Sequence, residues 1–170
     1  MRFRLSKEIK RYFNKIMAEG GYLGSDKNKF MQFDIYYNCA LIGFSALKIS
    51  EDASDLEDMM STYPKEFKNS KPYIAGLLIA TEFKRQGFDV TSRDLEKLML
   101  KYLDNEKETY LSNDGYDLLN AYSLAGAQIY RENSADAPRT KEDFLLTVNR
   151  IIKQYYEDKN NLWAISLELQ

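Results

Sequence analysis

The sequence predicts a mainly α fold: about six helices in one compact domain, with a short strand at the N-terminus. Three observations carry this. Apolar residues recur at helical spacing in segment after segment. Cap and stop residues punctuate those segments. Only 3 Pro and 8 Gly interrupt 170 residues, of which 44% are hydrophobic and 29% charged, the balance of a chain with a packed core.

The elements follow in order. Residues 1–5 alternate, with Met1, Phe3 and Leu5 on one side and Arg2 and Arg4 on the other, the period of a short half-buried strand. Ser6 is a good N-cap, and Ile9, Tyr12, Phe13, Ile16 and Met17 form the apolar stripe of a first helix. Lys7, Arg11 and Lys15 recur every four residues beside that stripe. Gly20-Gly21 stops the helix, and the residues to Phe30 read as a loop. A second helix, from about Phe30 to Lys48, is apolar on more than one face and is expected to be the most buried of the N-terminal half.

Residues 51–58 hold five acids and no base, and read as a solvated helix or an acidic linker closed by Pro64. Ser70 and Pro72 open a third helix that Gly87 ends at C′. Thr91 or Ser92 caps a fourth, whose Leu95, Leu98, Met99 and Tyr102 keep helical spacing. Ser112 precedes a fifth, in which Ala121, Ala125 and Gly126 let another helix approach closely. Thr140 and Asp143 fit a capping box before a sixth. The closing LWAISLEL alternates loosely and reads as a C-terminal strand or a final turn. The composition shift at 51–70 allows a subdivision into a basic strand–helix–helix module (1–50), an acidic linker (51–70) and a helical bundle (71–170).

Histidine is absent and Cys39 is the one cysteine, which removes whole classes of chemistry. Ser–His–Asp and Cys–His catalysis, HExxH metallopeptidase sites and Cys-rich zinc sites all require residues this chain lacks. No phosphate-binding P-loop, GxGxxG fingerprint or GxSxG elbow occurs. The acids Glu51, Asp52, Asp55, Glu57 and Asp58 lack the ligand spacing of a calcium loop and read as a solvated surface. Asp114 and Asp117 lie near a helix start, where carboxylates favour the dipole. Cys39, inside an apolar helix, reads as a small core hydrophobe. No cofactor, metal or catalytic residue is expected, and the chain is read as non-enzymatic. No apolar run spans a bilayer, no secretory signal opens the chain, and a lone cysteine suits a reducing compartment; the expected address is the cytoplasm.

The opening MRFRLSKEIKRYF carries the strongest functional signal. Residues 1–30 hold eight Lys or Arg against three acids, in a chain whose net charge is −2. Arg2, Arg4, Lys7, Lys10, Arg11 and Lys15 are the candidate nucleic-acid-binding residues. The bland reading of the same segment is an amphipathic start whose cations are merely solvated. The 13 tyrosines offer stacking surfaces for unpaired bases, but at helical spacing they are expected to pack in the core.

A basic strand followed by a capped helix and a second apolar helix resembles the ribbon-helix-helix DNA-binding proteins. That resemblance implies that two chains pair their strands, with Arg2 and Arg4 outward on the ribbon. The stretch RFRLSKEIKRYFNKI followed by YYNCALIGFSALKISED is also similar to the small helical E subunit of bacterial DNA phosphorothioation systems. This second resemblance, over roughly the first 50 residues, implies a non-catalytic DNA-associating subunit of a larger machine. The expected function is therefore an accessory subunit contacting duplex DNA, or a DNA-handling complex, in a modification or defence system. The competing expectation is a protein–protein adaptor of a larger bacterial or phage assembly. Protein partners, and a second copy of the chain, are expected; a membrane is not.

Overall fold

The computed structural model describes residues 1–17, 30–51, 55–88 and 93–168, and side chains in the last helix through Glu157. Six α-helices and a two-stranded sheet follow in the order β1 (Phe3–Ser6), α1 (Lys7–Tyr12), α2 (Gln32–Ala46), β2 (Leu56–Met60), α3 (Lys71–Arg85), α4 (Arg93–Tyr102), α5 (Asn113–Glu132) and α6 (Lys141–Glu168). A 3-10 turn, Lys65–Ser70, leads into α3. The mainly α fold is as the sequence predicts. The Gly20-Gly21 stop, the loop that follows it, Asp52 and the Thr91/Ser92 cap lie outside the described residues.

Local chemistry sets the helix ends. The Ser6 Oγ accepts from the N–H groups of Glu8 and Ile9, capping α1 as its place before the apolar stripe predicts. That helix is shorter than its stripe: Phe13 leaves helical geometry, and Ile16 and Met17 stay buried on a following turn. The Met31 N–H donates to the Asp34 carboxylate at 2.9 Å, fixing the start of α2. Gly87 takes φ +70° just past α3, the left-handed C′ position that favours glycine. The Ser112 Oγ accepts from Gly115 at 3.0 Å, and the Thr140 Oγ1 from the Asp143 N–H at 3.1 Å.

Two expectations are corrected. The acidic stretch expected as a solvated helix or linker supplies β2, which pairs antiparallel with β1. Leu56, Met59 and Met60 give it enough apolar surface to lie partly buried, which a solvated linker would not have. Residues 162–168, whose alternation reads as a strand or final turn, instead continue α6. No second strand stands beside them among the described residues, and the helix already propagating from Lys141 costs little to extend.

The buried apolar side chains form one core. Its two densest regions are aromatic. Phe3 lies 5.0–5.6 Å, centroid to centroid, from Phe33, Tyr36, Tyr63 and Tyr116, so β1 is anchored by α2, α5 and the loop after β2. Phe13, Tyr130 and Phe144 meet at 5.2–5.3 Å and join the α1 turn to α5 and α6. Helices α2 and α5 pack backbone against backbone. At Gly126 the backbone carbonyl of Cys39 occupies the place of a side chain, and at Gly43 the carbonyl of Tyr122 does the same. Glycine lets these two backbones touch, as the small-residue run in α5 foretells. The tyrosines mostly pack: Tyr36, Tyr63, Tyr116, Tyr122 and Tyr130 are buried, while Tyr73, Tyr110 and Tyr156 stay exposed.

Among the described residues one charged side chain is buried. Glu82 of α3 is fully buried, with Arg85 donating to both its carboxylate oxygens at 2.7 and 2.8 Å. Tyr122 donates to it at 2.8 Å, and Gln86 also donates. A buried carboxylate persists when its acceptors are filled this way.

Candidate nucleic-acid interface

β1 and α1 form a continuous ridge because Ser6 ends one and caps the other. Inward, Phe3, Leu5 and Ile9 are buried. β1, α1 and the residues flanking them carry the six candidate cations, and β2 brings carboxylates beside four of them. Asp58 is shared: Arg4 Nε lies 3.1 Å from one oxygen and Arg2 Nε 3.7 Å from the other. Glu57 is shared likewise, by Lys10 at 3.0 Å and Lys7 at 3.6 Å. Side chains of Arg2 and Lys7 remain 58% and 55% exposed, so these are surface pairs, each worth about 0–1 kcal/mol. Arg11 and Lys15 are exposed and form no ion pair among the described residues.

Asp55 does a different job. Its carboxylate accepts from the Ser6 hydroxyl at 2.9 Å and from the Glu8 N–H at 3.1 Å, at the N-terminus of α1. The Glu8 N–H, the Ser6 hydroxyl and the nearby Lys7 and Arg11 hold the Asp55 carboxyl below its usual range. The hydrogen bond from Lys10, with the charges of Lys10 and Lys7, does the same for Glu57.

On the other flank, Glu8 meets Arg131 of α5 at 2.7 Å, and the Arg131 guanidinium lies 5.5 Å from the Tyr12 ring centroid. With Arg131 come Glu132 and Asp136, which line one pocket with it and Tyr12, so seven described cations (Arg2, Arg4, Lys7, Lys10, Arg11, Lys15 and Arg131) stand against six carboxylates (Glu8, Asp55, Glu57, Asp58, Glu132 and Asp136). A surplus of positive charge therefore remains on a chain whose total is −2.

Neither edge of β1 is open. One pairs with β2, in a register where Met59 is an extra residue between the Phe3–Met60 and Arg4–Asp58 pairs. On the other, the Asn120 carboxamide of α5 accepts the Arg4 N–H at 3.0 Å and donates to the Arg2 carbonyl at 3.2 Å. The same oxygen accepts from the Tyr36 hydroxyl at 2.9 Å. Asn120 thus satisfies the strand's backbone as a neighbouring strand would.

The structure brings Arg2, Arg4, Lys7 and Lys10 together around two carboxylates, sets Arg11 near Asp55, and leaves Lys15 exposed on the turn after α1. Sequence reasoning missed the carboxylate partners. The signal was the opposed charge of residues 1–30 and 51–58, read as two features rather than one. Asn120 and Glu82 were also missed, and nothing in their local pattern marks them.

Elsewhere, Asp114 and Asp117 are exposed on the first turns of α5. Cys39 is buried, and burial raises its thiol pKa well above the usual value, so it is no nucleophile in the folded state. Among the described residues no three His, Cys, Asp or Glu side chains converge as a metal site, and no helix is long and apolar enough to cross a membrane. No protein-family model, curated protein or solved structure matches the chain.

Proposed function

We propose that this chain is a non-catalytic accessory subunit that meets duplex DNA, or the DNA-bearing face of a larger complex, through the cationic ridge of β1 and α1. One observation carries the reading: two carboxylates are each shared by two cations, and Arg11 and Lys15 stand exposed on α1 and the turn that follows it. A surface meant only to stay soluble has no need to gather cations in excess of its acids on one ridge. Phosphate contacts need cations at the surface, and this ridge presents them on a rigid strand–helix unit backed by the aromatic core. A bacterial DNA-modification or defence complex is the setting that the resemblance of the first 50 residues implies.

The test is fluorescence anisotropy of a labelled duplex at graded salt. Wild-type protein is expected to bind with steep salt dependence, and Arg11→Ala with Lys15→Ala to lower the salt slope by about two, roughly one per lost phosphate contact. Absence of binding at about 50 mM salt, where phosphate contacts are strong, contradicts the reading.

A second reading, a protein–protein adaptor, has its own observation. Tyr73 and Leu77 lie one turn apart on α3 and Leu95 and Met99 one turn apart on α4, all exposed, with Leu100 76% exposed. Exposed apolar side chains on neighbouring helices suit a protein partner. Loss of a co-purifying protein on Leu77→Ser with Met99→Ser, with DNA binding unchanged, would favour it.

A further inference from the structure

We propose that β2 is a built-in competitor for the cationic ridge, so that only a ligand delivering several negative charges at once engages it. The inference rests on the DNA-contact reading and adds what selects the ligand. Glu57 and Asp58 already occupy the positions that a ligand's anionic oxygens would take: Asp58 between Arg2 and Arg4, Glu57 between Lys7 and Lys10.

The pairing of β1 with β2 fixes both carboxylates there, so their local concentration is that of a covalently held ligand. A single phosphate or carboxylate in solution must displace such a partner for one new contact in return. A duplex backbone brings a row of phosphates, begins on the exposed Arg11, and exchanges the tethered carboxylates one after the other. Each displaced carboxylate frees two cations, so the exchange strongly favours multivalent over monovalent anions. β2 is suited to stay in place throughout. It is short, bulged at Met59 and carries charge, the features that keep an edge strand from pairing with another chain. Only the side chains need to swing.

The experiment compares wild type with Glu57→Gln, Asp58→Asn and the double variant against two probes, a labelled duplex and a mononucleotide. Glu96→Gln, an exposed acid on α4, controls for the change in net charge. The double variant is expected to bind the duplex about tenfold tighter or more at ~50 mM salt, with a steeper salt slope, because each added phosphate contact contributes about 0.9 to that slope. Glu96→Gln is expected to leave affinity within about twofold, since screening at ~50 mM salt confines charge effects to roughly 14 Å.

The mononucleotide is expected to bind the double variant measurably and wild type not at all. Should wild type bind the duplex and the double variant bind it equally, the competitor role is overturned and the DNA contact stands. If neither binds the duplex at low salt, both fall. Equal gains from Glu96→Gln and the double variant would assign the effect to net charge and also overturn the proposal. Amide spectra showing Phe3 to Ser6 unshifted in each variant establish that β1 and β2 remain paired.

Discussion

Asn120, in the middle of α5, accepts the backbone N–H of Arg4 at 3.0 Å across 116 residues of sequence. A helix side chain thereby completes the hydrogen bonding of a strand that has one partner strand, and fixes the ridge on which the cations stand. Its other bonds, to the Arg2 carbonyl and the Tyr36 hydroxyl, leave three groups dependent on one carboxamide. Asn120→Ala is therefore expected to destabilise the fold by about 2–4 kcal/mol, because buried polar groups left without partners each cost about 1–3 kcal/mol. The midpoint of urea unfolding measures this, and Asn120→Asp is expected to retain the Arg4 bond but lose the donor to Arg2.

The α2–α5 contact predicts opposite outcomes for two glycines. A methyl group at Gly126 overlaps the Cys39 carbonyl, while at Gly76, exposed on α3, it meets nothing within 4 Å. Gly126→Ala is expected to cost about 3 kcal/mol or to prevent folding, since overpacking against backbone has little room to relax. Gly76→Ala is expected to stabilise by about 0.5–1 kcal/mol through helix propensity. Thermal melts of the two variants decide it.

Two buried tyrosine hydroxyls also separate cleanly. The Tyr122 hydroxyl donates to Glu82, whereas the Tyr63 hydroxyl has no partner among the described residues. Tyr122→Phe is expected to lose about 1.5–3 kcal/mol, the worth of a hydrogen bond to a charged group. Tyr63→Phe is expected to be neutral or stabilising by up to about 1 kcal/mol, because it removes an unpaired buried oxygen.

Glu82 gives the fold an acid-sensitive contribution. Burial raises its carboxyl pKa, but hydrogen bonds from Arg85, Gln86 and Tyr122, with the charge of Arg85, outweigh burial and hold it below the ordinary value of 4.5. A carboxyl depressed in the folded state stabilises above its unfolded pKa, and that stability is lost as pH falls through the folded one. Glu82→Gln is expected to cost about 1.5–3 kcal/mol at pH 7, the worth of hydrogen bonds to a charged group, since the Arg85 left behind reaches solvent. The difference from wild type is expected to shrink below pH 4.5, in unfolding measured across pH 3–7.

Much of the scaffold was legible because it rests on local rules. Ser6, Ser112 and Thr140 announce helix starts, Gly87 announces a stop, and Ala121–Ala125–Gly126 announces the face that α2 approaches. The outward placement of Arg2 and Arg4 follows from alternation alone. What was not legible depends on partners distant in sequence. Asn120 and Glu82 look like solvated helix residues until the elements that bury them are in place. The 55–60 segment has the charge of a linker, and only pairing with β1 makes it a strand. The outward charge of the opening segment was legible, but the engagement of Arg2, Arg4, Lys7 and Lys10 by Glu57 and Asp58 needed the sheet register.

The cationic ridge is tested most directly by amide chemical-shift mapping of the labelled protein during titration with a short duplex. The account predicts perturbations concentrated from Arg2 to Lys15 and along Leu56–Met60, fading with added salt, with α3 and α4 unshifted. Perturbations confined to the exposed face of α3 and α4, or none at low salt, would contradict it.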